Sequence, residues 1–307
     1  MARLDVIYAL TGCTAVGKTE LSLRWAEANN AEIVSCDSLL FYRGLNIGTA
    51  KPTSGELSRV PHHLIDIREP LEGLDVADYL DLAIDIVDEI QARGKKVLVT
   101  GGSGFYLKAY FSPVVDAVEV PERIREEVAN LMEHEPLKDV SERLRKLNPD
   151  GIGNLDTMNP RRVSKALERC LASGKTLEAL RRDMAATTNP LIEAPKKFIR
   201  LDRDKGELEA RIEKRVDTML AEGLIDEVAA LRDRGIEANA SAAMAIGYRE
   251  TLAHLRGELD RSELRERIVI NTRRLAKKQR TWFRTQLPPH EVIDLTITKG
   301  EDVRLFG

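Results

Sequence analysis

Apolar and polar positions along this chain fall into blocks that read as strands alternating with amphipathic helices. Val6 to Leu10 is a short continuous apolar run closed by Thr11-Gly12, the pattern of a strand buried on both faces of a parallel sheet. Glu20 to Asn29 places Leu21, Trp25 and Ala28 at helical spacing, and Ala31 to Ser35 reads as a second strand. Pro61 to Ile67 gives a third strand. Val76 to Arg93 is a helix with Tyr79, Ala83, Ile86, Val87 and Ile90 on one face, and Lys95 to Thr100 is a fourth strand. From Pro121 to Asn189 no strand-like run occurs. Charged amphipathic helices there are broken at Pro136, at Asn148-Pro149-Asp150-Gly151 and at Asn159-Pro160. Lys197 to Leu201 reads as the last strand, Glu207 to Leu231 as one long helix, Ala245 to Glu250 as a turn-like element, and Ser262 to Arg284 as a final helix. This order predicts an α/β fold, a mainly parallel sheet flanked by helices, with a core over 1–120 and 191–307 and an all-helical insertion over 121–190.

The chemistry concentrates where the first strand meets the first helix. Gly12-Cys13-Thr14-Ala15-Val16-Gly17-Lys18-Thr19 fits the phosphate-loop pattern, so the core is expected to be of the phosphate-loop NTPase type. The glycines let backbone N–H groups turn toward phosphate oxygens, and the helix start adds unpaired N–H groups and partial positive charge. Lys18 would bring a full charge and Thr19 a hydroxyl for Mg2+. The loop alone does not distinguish a nucleotide from a diphosphate leaving group. The fourth strand runs into Gly101-Gly102-Ser103-Gly104, where a phosphate-loop hydrolase usually carries an aspartate for Mg2+, and this weakens an ATPase reading. Ser103 either presents a hydroxyl to a ligand or sits in a plain glycine-rich turn. Asp37 follows the second strand and should face the loop, as an Mg2+ ligand, a base or a turn cap. Arg211 and Arg215, four apart, either pair with Glu207 or Asp217 or clamp a diphosphate.

Charge changes the picture at one place. The net charge is -3, yet between Arg261 and Arg284 the acidic residues are only Glu263 and Glu266 against a run that includes Arg273, Arg274, Lys277, Lys278 and Arg280. A local basic face in a mildly acidic chain suits a polyanion rather than a membrane. Trp282-Phe283-Arg284 either stacks nucleic-acid bases or anchors a solvated helix. No apolar run has membrane length and Val6 to Leu10 is too short for a signal peptide, so a cytoplasmic protein is expected. Cys13, Cys36 and Cys170 form no Cys-x-x-Cys pair, and His62-His63 lacks helical metal spacing, so neither a disulfide scaffold nor zinc is expected.

Taken together, TGCTAVGKT, SCDSLLFYRGLNIGTAKP, GGSGFYLKA, NPRRVSKALE with SGKTLEALR, RVDTML, AIGYRE and TRRLAKKQRTWFR resemble the bacterial tRNA dimethylallyltransferases, or tRNA isopentenyltransferases, in the family's order from about residue 8 to 284. The resemblance implies transfer of a dimethylallyl group from dimethylallyl diphosphate to the exocyclic N6 amine of the adenosine 3′ of a tRNA anticodon, with Mg2+ and release of diphosphate. It implies Asp37 as base with Ser103 beside it and Lys18 and Thr19 on the diphosphate. Gly12 to Thr19 and Arg215 would form the donor site, and Thr19 and Asp37 would be the Mg2+ ligands. It further implies tRNA contacts from Asp37, Ser38, Leu39, Leu40, Ser103, Arg125, Arg161, Arg162, Val163, Ser164, Lys165, Lys277, Lys278 and Arg280, with the target base flipped into a channel. The protein is expected to be a monomer, and the lack of the zinc finger of eukaryotic relatives before Gly307 points to the bacterial type. Cys13, Leu40 and Ser103 depart from the usual proline, glutamine and threonine. The rival readings are an adenylate isopentenyltransferase acting on a free nucleotide and a phosphate-loop small-molecule kinase.

Overall fold

The structure is a computed structural model that describes residues 4–298 and 302–307. Six strands form one sheet in the order β3-β2-β4-β1-β5-β6: β1 (Ile7–Gly12), β2 (Ala31–Ser35), β3 (His62–His63), β4 (Lys96–Gly101), β5 (Lys196–Asp202) and β6 (Glu291–Asp294). Every pairing is parallel. β1 is central, with Ala9 opposite Val99 on one side and Phe198 on the other. The carboxyl ends of β1, β2, β4 and β5 therefore gather at one edge, where open α/β sheets bind ligands. Both faces are covered. Leu10, Val16, Leu23, Leu98 and Ile212 pack on one, and Ile7, Val34, Val97, Tyr79 and Val87 on the other.

Local chemistry moves some boundaries from their expected places. The third strand is two residues long because Leu64 and Asp66 take left-handed φ values of 60° and 55°, which ends the extended backbone. Gly223, at φ 99°, splits the expected long helix into Lys205–Ala221 and Leu224–Asp233. The turn-like element is the start of a helix, Tyr248–Leu255, entered through Gly247 at φ 95°. β6 is an additional edge strand beyond the one read as last. Its residues are half-exposed and carry no continuous apolar run.

The chain divides into two compact units, 1–111 with 190–307, and 112–189. In the second, helices Glu122–His134, Leu137–Lys146, Pro160–Ser173 and Leu177–Ala185 enclose a core that includes Val128, Val140, Leu144, Val163 and Leu180. Buried Asn148 ties this core together: its amide donates to Leu144 O at 2.7 Å and accepts from Leu177 N at 2.6 Å. In the first unit the Phe111 ring packs on Phe198 of β5, with centroids 4.8 Å apart. Lys196 Nζ lies 6.0 Å from the same Phe111 ring.

Candidate active site

The phosphate loop joins β1 to helix Lys18–Ala28. A methyl group at Gly12 would lie 2.7 Å from Leu201 O, so only glycine fits between β1 and β5 there. Gly17, at φ 112°, caps the helix without a side-chain hydrogen bond and so leaves the first-turn N–H groups to a ligand. Three successive loop residues are held by three arginines: Arg215 Nη1 donates to Thr14 Oγ1 at 3.1 Å, Arg211 Nε to Ala15 O at 2.7 Å and Arg203 Nε to Val16 O at 3.3 Å. Arg211 and Arg215 do not pair with Glu207 or Asp217, which are taken by Arg203 and Arg265 at 2.7 and 2.5 Å. Burial first, then the charge of a neighbouring arginine, lowers the pKa of both Arg211 and Arg215. Two desolvated guanidinium groups side by side favour an incoming anion.

Lys18 Nζ donates to Gly12 O at 2.8 Å and Cys13 O at 3.1 Å, parked on the loop's own carbonyls. Burial pushes its pKa down and Arg215 adds to this, against the pull of Cys13 and Asp37. Burial pushes the Cys13 thiol up, which makes it a loop-filling residue rather than a reactive thiolate.

Asp37 follows β2, and its Oδ1 accepts from Leu39 N at 3.3 Å in a local turn. Ser38 N donates to Ser103 Oγ at 3.1 Å, and the two hydroxyls are 3.2 Å apart. The glycine-rich turn exists for close approach: a methyl at Gly101 would lie 2.7 Å from the Cys36 carbonyl carbon, and one at Gly104 2.3 Å from the Trp282 ring. Across from it, the Glu227 carboxylate accepts from the N–H groups of Asn46, Ile47 and Gly48 at 3.0, 2.8 and 3.2 Å and from Tyr248 Oη at 2.7 Å. This fixes the 46–48 wall.

These walls enclose a cleft of about 1650 Å³ lined by Thr14, Lys18, Thr19, Asp37, Ser103 and Arg215, with Ser38, Leu39, Leu40 and Lys278 around them. The donor-side and acceptor-side residues expected from sequence thus share one space. A second opening of about 710 Å³ reaches Ala15, Arg211 and Arg215 as well.

Several expected RNA contacts are placed differently. Val163 is fully buried in the core of the second unit, so its side chain packs rather than faces solvent. Ser164 and Lys165 both bond the buried Glu168, at 3.1 and 2.7 Å, and Lys165 is exposed, as are Arg125, Arg161 and Arg162. On helix Arg261–Gln286, Arg280 is tied to Asp202 at 2.7 Å and to Arg203 O at 2.5 Å, and Phe283 is buried as an anchor. Lys277 and Lys278 are exposed. Sequence reading missed Arg203 and Gln279. Gln279 had a signal: it falls with Ala276 and Phe283 on the inward face of the helix, a polar residue where an apolar one is expected.

Comparison with known proteins bears on the whole chain. The profile of the IPP transferase family matches residues 40–286. A tRNA dimethylallyltransferase of Opitutus terrae is 57% identical over 94% of this chain and 93% of its own, and one of Syntrophomonas wolfei 41% over 90% and 87%. Among solved structures, the full-length tRNA isopentenylpyrophosphate transferase of Bacillus halodurans is 36% identical with a TM-score of 0.68, covering 95% of this chain and 90% of that one. A eukaryotic dimethylallyltransferase described as acting on tRNA reaches a TM-score of 0.83 at 25% identity, over 95% and 74%. With that breadth of agreement around a phosphate loop and an aspartate facing one cleft, the chain belongs to the IPP transferase family, that of the tRNA dimethylallyltransferases.

Proposed function

We propose that this protein transfers the dimethylallyl group of dimethylallyl diphosphate to the exocyclic N6 of the adenosine 3′-adjacent to the anticodon of a tRNA, releasing diphosphate. The observation that carries this reading is the shared cleft: phosphate-binding groups on one wall and a carboxylate with a serine pair on the other. Diphosphate would sit on the N–H groups at the start of helix Lys18–Ala28, with Lys18 moving from the loop carbonyls onto it and Arg215 and Arg211 alongside. The bond between the allylic carbon and the diphosphate oxygen breaks, its electron pair leaving with diphosphate. The N6 lone pair makes the new C–N bond, and the N6 proton passes to Asp37 Oδ2, the oxygen not engaged by Leu39 N. The adenine amine is a weak nucleophile, so orientation by Asp37 and the Ser103 hydroxyl and charge stabilisation on the leaving group share the barrier reduction.

Mg2+ suits the donor set. Among the described residues no three His, Cys, Asp or Glu side chains converge, and a cation held by few protein oxygens, with substrate and water supplying the rest, would be in the usual mode for Mg2+. Thr19 and Asp37 are the residues that would hold it. When bound it neutralises charge on the diphosphate oxygens.

The tRNA would be gripped by Arg125, Arg161, Arg162 and Lys165 of the second unit and by the exposed Lys277 and Lys278. Among the described residues no helix is long and apolar enough to cross a membrane, and a tRNA substrate fits a cytoplasmic protein. The test offers labelled dimethylallyl diphosphate and Mg2+ with unmodified tRNA, free AMP or ATP alone. Label in tRNA supports the reading. Label only in AMP points to the free-nucleotide relative, and ATP turnover without prenyl transfer to a kinase.

A further inference from the structure

Of the uncharged polar residues that helix Arg261–Gln286 brings to the cleft, Asn271, Thr272 and Gln279, Gln279 bonds the phosphate loop. Gln279 Oε1 accepts from the N–H of Thr14 at 2.9 Å, and Gln279 Nε2 donates to Gly102 O at 2.9 Å. The first partner belongs to the phosphate loop, the second to the turn after β4. A methyl group placed on Gly102 would lie 3.0 Å from Gln279 Nε2 and 3.4 Å from Asp37 Oδ2. One amide therefore spans from the donor wall to the acceptor wall, next to the carboxylate.

We propose that Gln279 is a positioning residue for the transfer reaction, a staple that fixes the spacing between the diphosphate-binding loop and the Gly102-Ser103-Asp37 wall. The inference rests on the function proposed above. The chemistry of the side chain fits the task. A carboxamide has one acceptor and two donors, so it satisfies an N–H and a carbonyl together, whereas the lysines and arginines around it can only donate. The next residue reinforces the same contact: Arg280 bonds Asp202 and Arg203 O, and Arg203 in turn holds Val16 O. Two consecutive residues of one helix thus reach two positions of the phosphate loop, Thr14 directly and Val16 through Arg203. The acceptor atom and the allylic carbon must meet within a few tenths of an ångström, so slack between these walls costs rate without weakening RNA contacts. Thr14 N–H is committed to Gln279, which leaves the N–H groups nearer Lys18 as the donors for diphosphate.

The test uses Gln279→Leu, close in volume and unable to form either bond, with Gln279→Met as a second variant in case the leucine protein melts well below the wild type. Amide hydrogen exchange at Thr14, affinity for inorganic pyrophosphate with Mg2+, steady-state transfer and tRNA affinity are measured on the intact chain. Expected are exchange at Thr14 faster by at least about tenfold, weaker pyrophosphate binding, and kcat/KM for the donor down by roughly 10- to 100-fold. The Kd for tRNA should stay within about twofold of the wild type. Unchanged exchange at Thr14, or a loss of tRNA affinity equal to the loss of kcat/KM, would overturn the staple and make Gln279 an RNA contact or a bystander. A wild-type protein that moves no prenyl group would overturn the reaction instead, and the staple would still be judged by exchange and pyrophosphate affinity.

Discussion

Arg215 donates to the side-chain hydroxyl of Thr14 rather than to a carboxylate of its own helix. Helix Lys205–Ala221 thus presses charge onto the phosphate loop, and among the described residues no carboxylate pairs with this guanidinium to compete with a diphosphate. Replacing Arg215 with alanine is expected to raise the KM for dimethylallyl diphosphate and lower kcat/KM by about 100-fold, since a charge-assisted contact to a buried anion is lost. Steady-state kinetics at saturating tRNA checks this, and an unchanged donor KM would remove Arg215 from the donor site.

Asp37→Asn keeps an acceptor for Leu39 N while abolishing the base. Transfer should fall by 10²–10⁴-fold, roughly the contribution of general-base catalysis, with tRNA binding nearly intact. Filter binding alongside single-turnover transfer separates the two. Equal losses of both would show that Asp37 serves RNA recognition and not proton transfer.

Lys277 and Val163 were expected to touch tRNA, and the structure separates their fates. Lys277→Ala should weaken binding modestly and reduce the slope of log K against log salt by about one. Val163→Ala should leave that slope untouched and destabilise the second unit by about 2 kcal/mol, because it opens a cavity among Val128, Val140 and Leu144. Salt titrations of tRNA affinity and thermal melts of each variant decide between a contact and a core residue.

Glu32 gives the fold a pH dependence. Burial opposes its charge, yet hydrogen bonds from Lys95, His63 and Arg93 outweigh burial and bring the carboxyl to about 2. Lys95 and Arg93 stand 2.9 and 2.7 Å from it, and His63 Nε2 2.6 Å. A carboxyl held below its unfolded value stabilises the fold fully above about pH 4.5, and that stabilisation is lost as pH falls from there through about 2. At neutral pH Glu32→Gln should therefore cost about 3 kcal/mol, and the gap to wild type should close between about pH 4.5 and 2. Parallel wild-type and mutant melts whose gap is constant with pH would contradict this.

The sheet order follows from signals that hydropathy carries well. Continuous apolar runs between turn residues identified β1, β2, β4 and β5, because strands buried on both faces leave little choice of side chain. β6 escaped because it is an edge with Val292 half in solvent, and β3 is shorter than the Pro61 to Ile67 run because left-handed residues at Leu64 and Asp66 cut it. Around the cleft, residues in local motifs were legible: Lys18, Thr19 and Asp37 sit where strand ends must place them. Arg203 was not, and Gln279 showed only as a polar residue on an inward helix face, since the partners of each lie on a loop 187 or 265 residues away in sequence. The basic run near the C-terminus misled in part. Charge alone does not reveal that Arg265, Arg273 and Arg280 are spent on Asp217, Glu213 and Asp202.

Phe111 and β5 meet where the chain leaves the first unit and comes back, with the Phe111 ring packed at a tilt against Phe198. The loop-closure entropy for everything between is thus set by a contact the first unit makes by itself, and melting the helical unit would leave that unit with a closed loop costing only a few kcal/mol more. Calorimetry should resolve two transitions, and Asn148→Ala should lower one and leave the other in place; a single transition moving as a whole would mean that the two units melt as one.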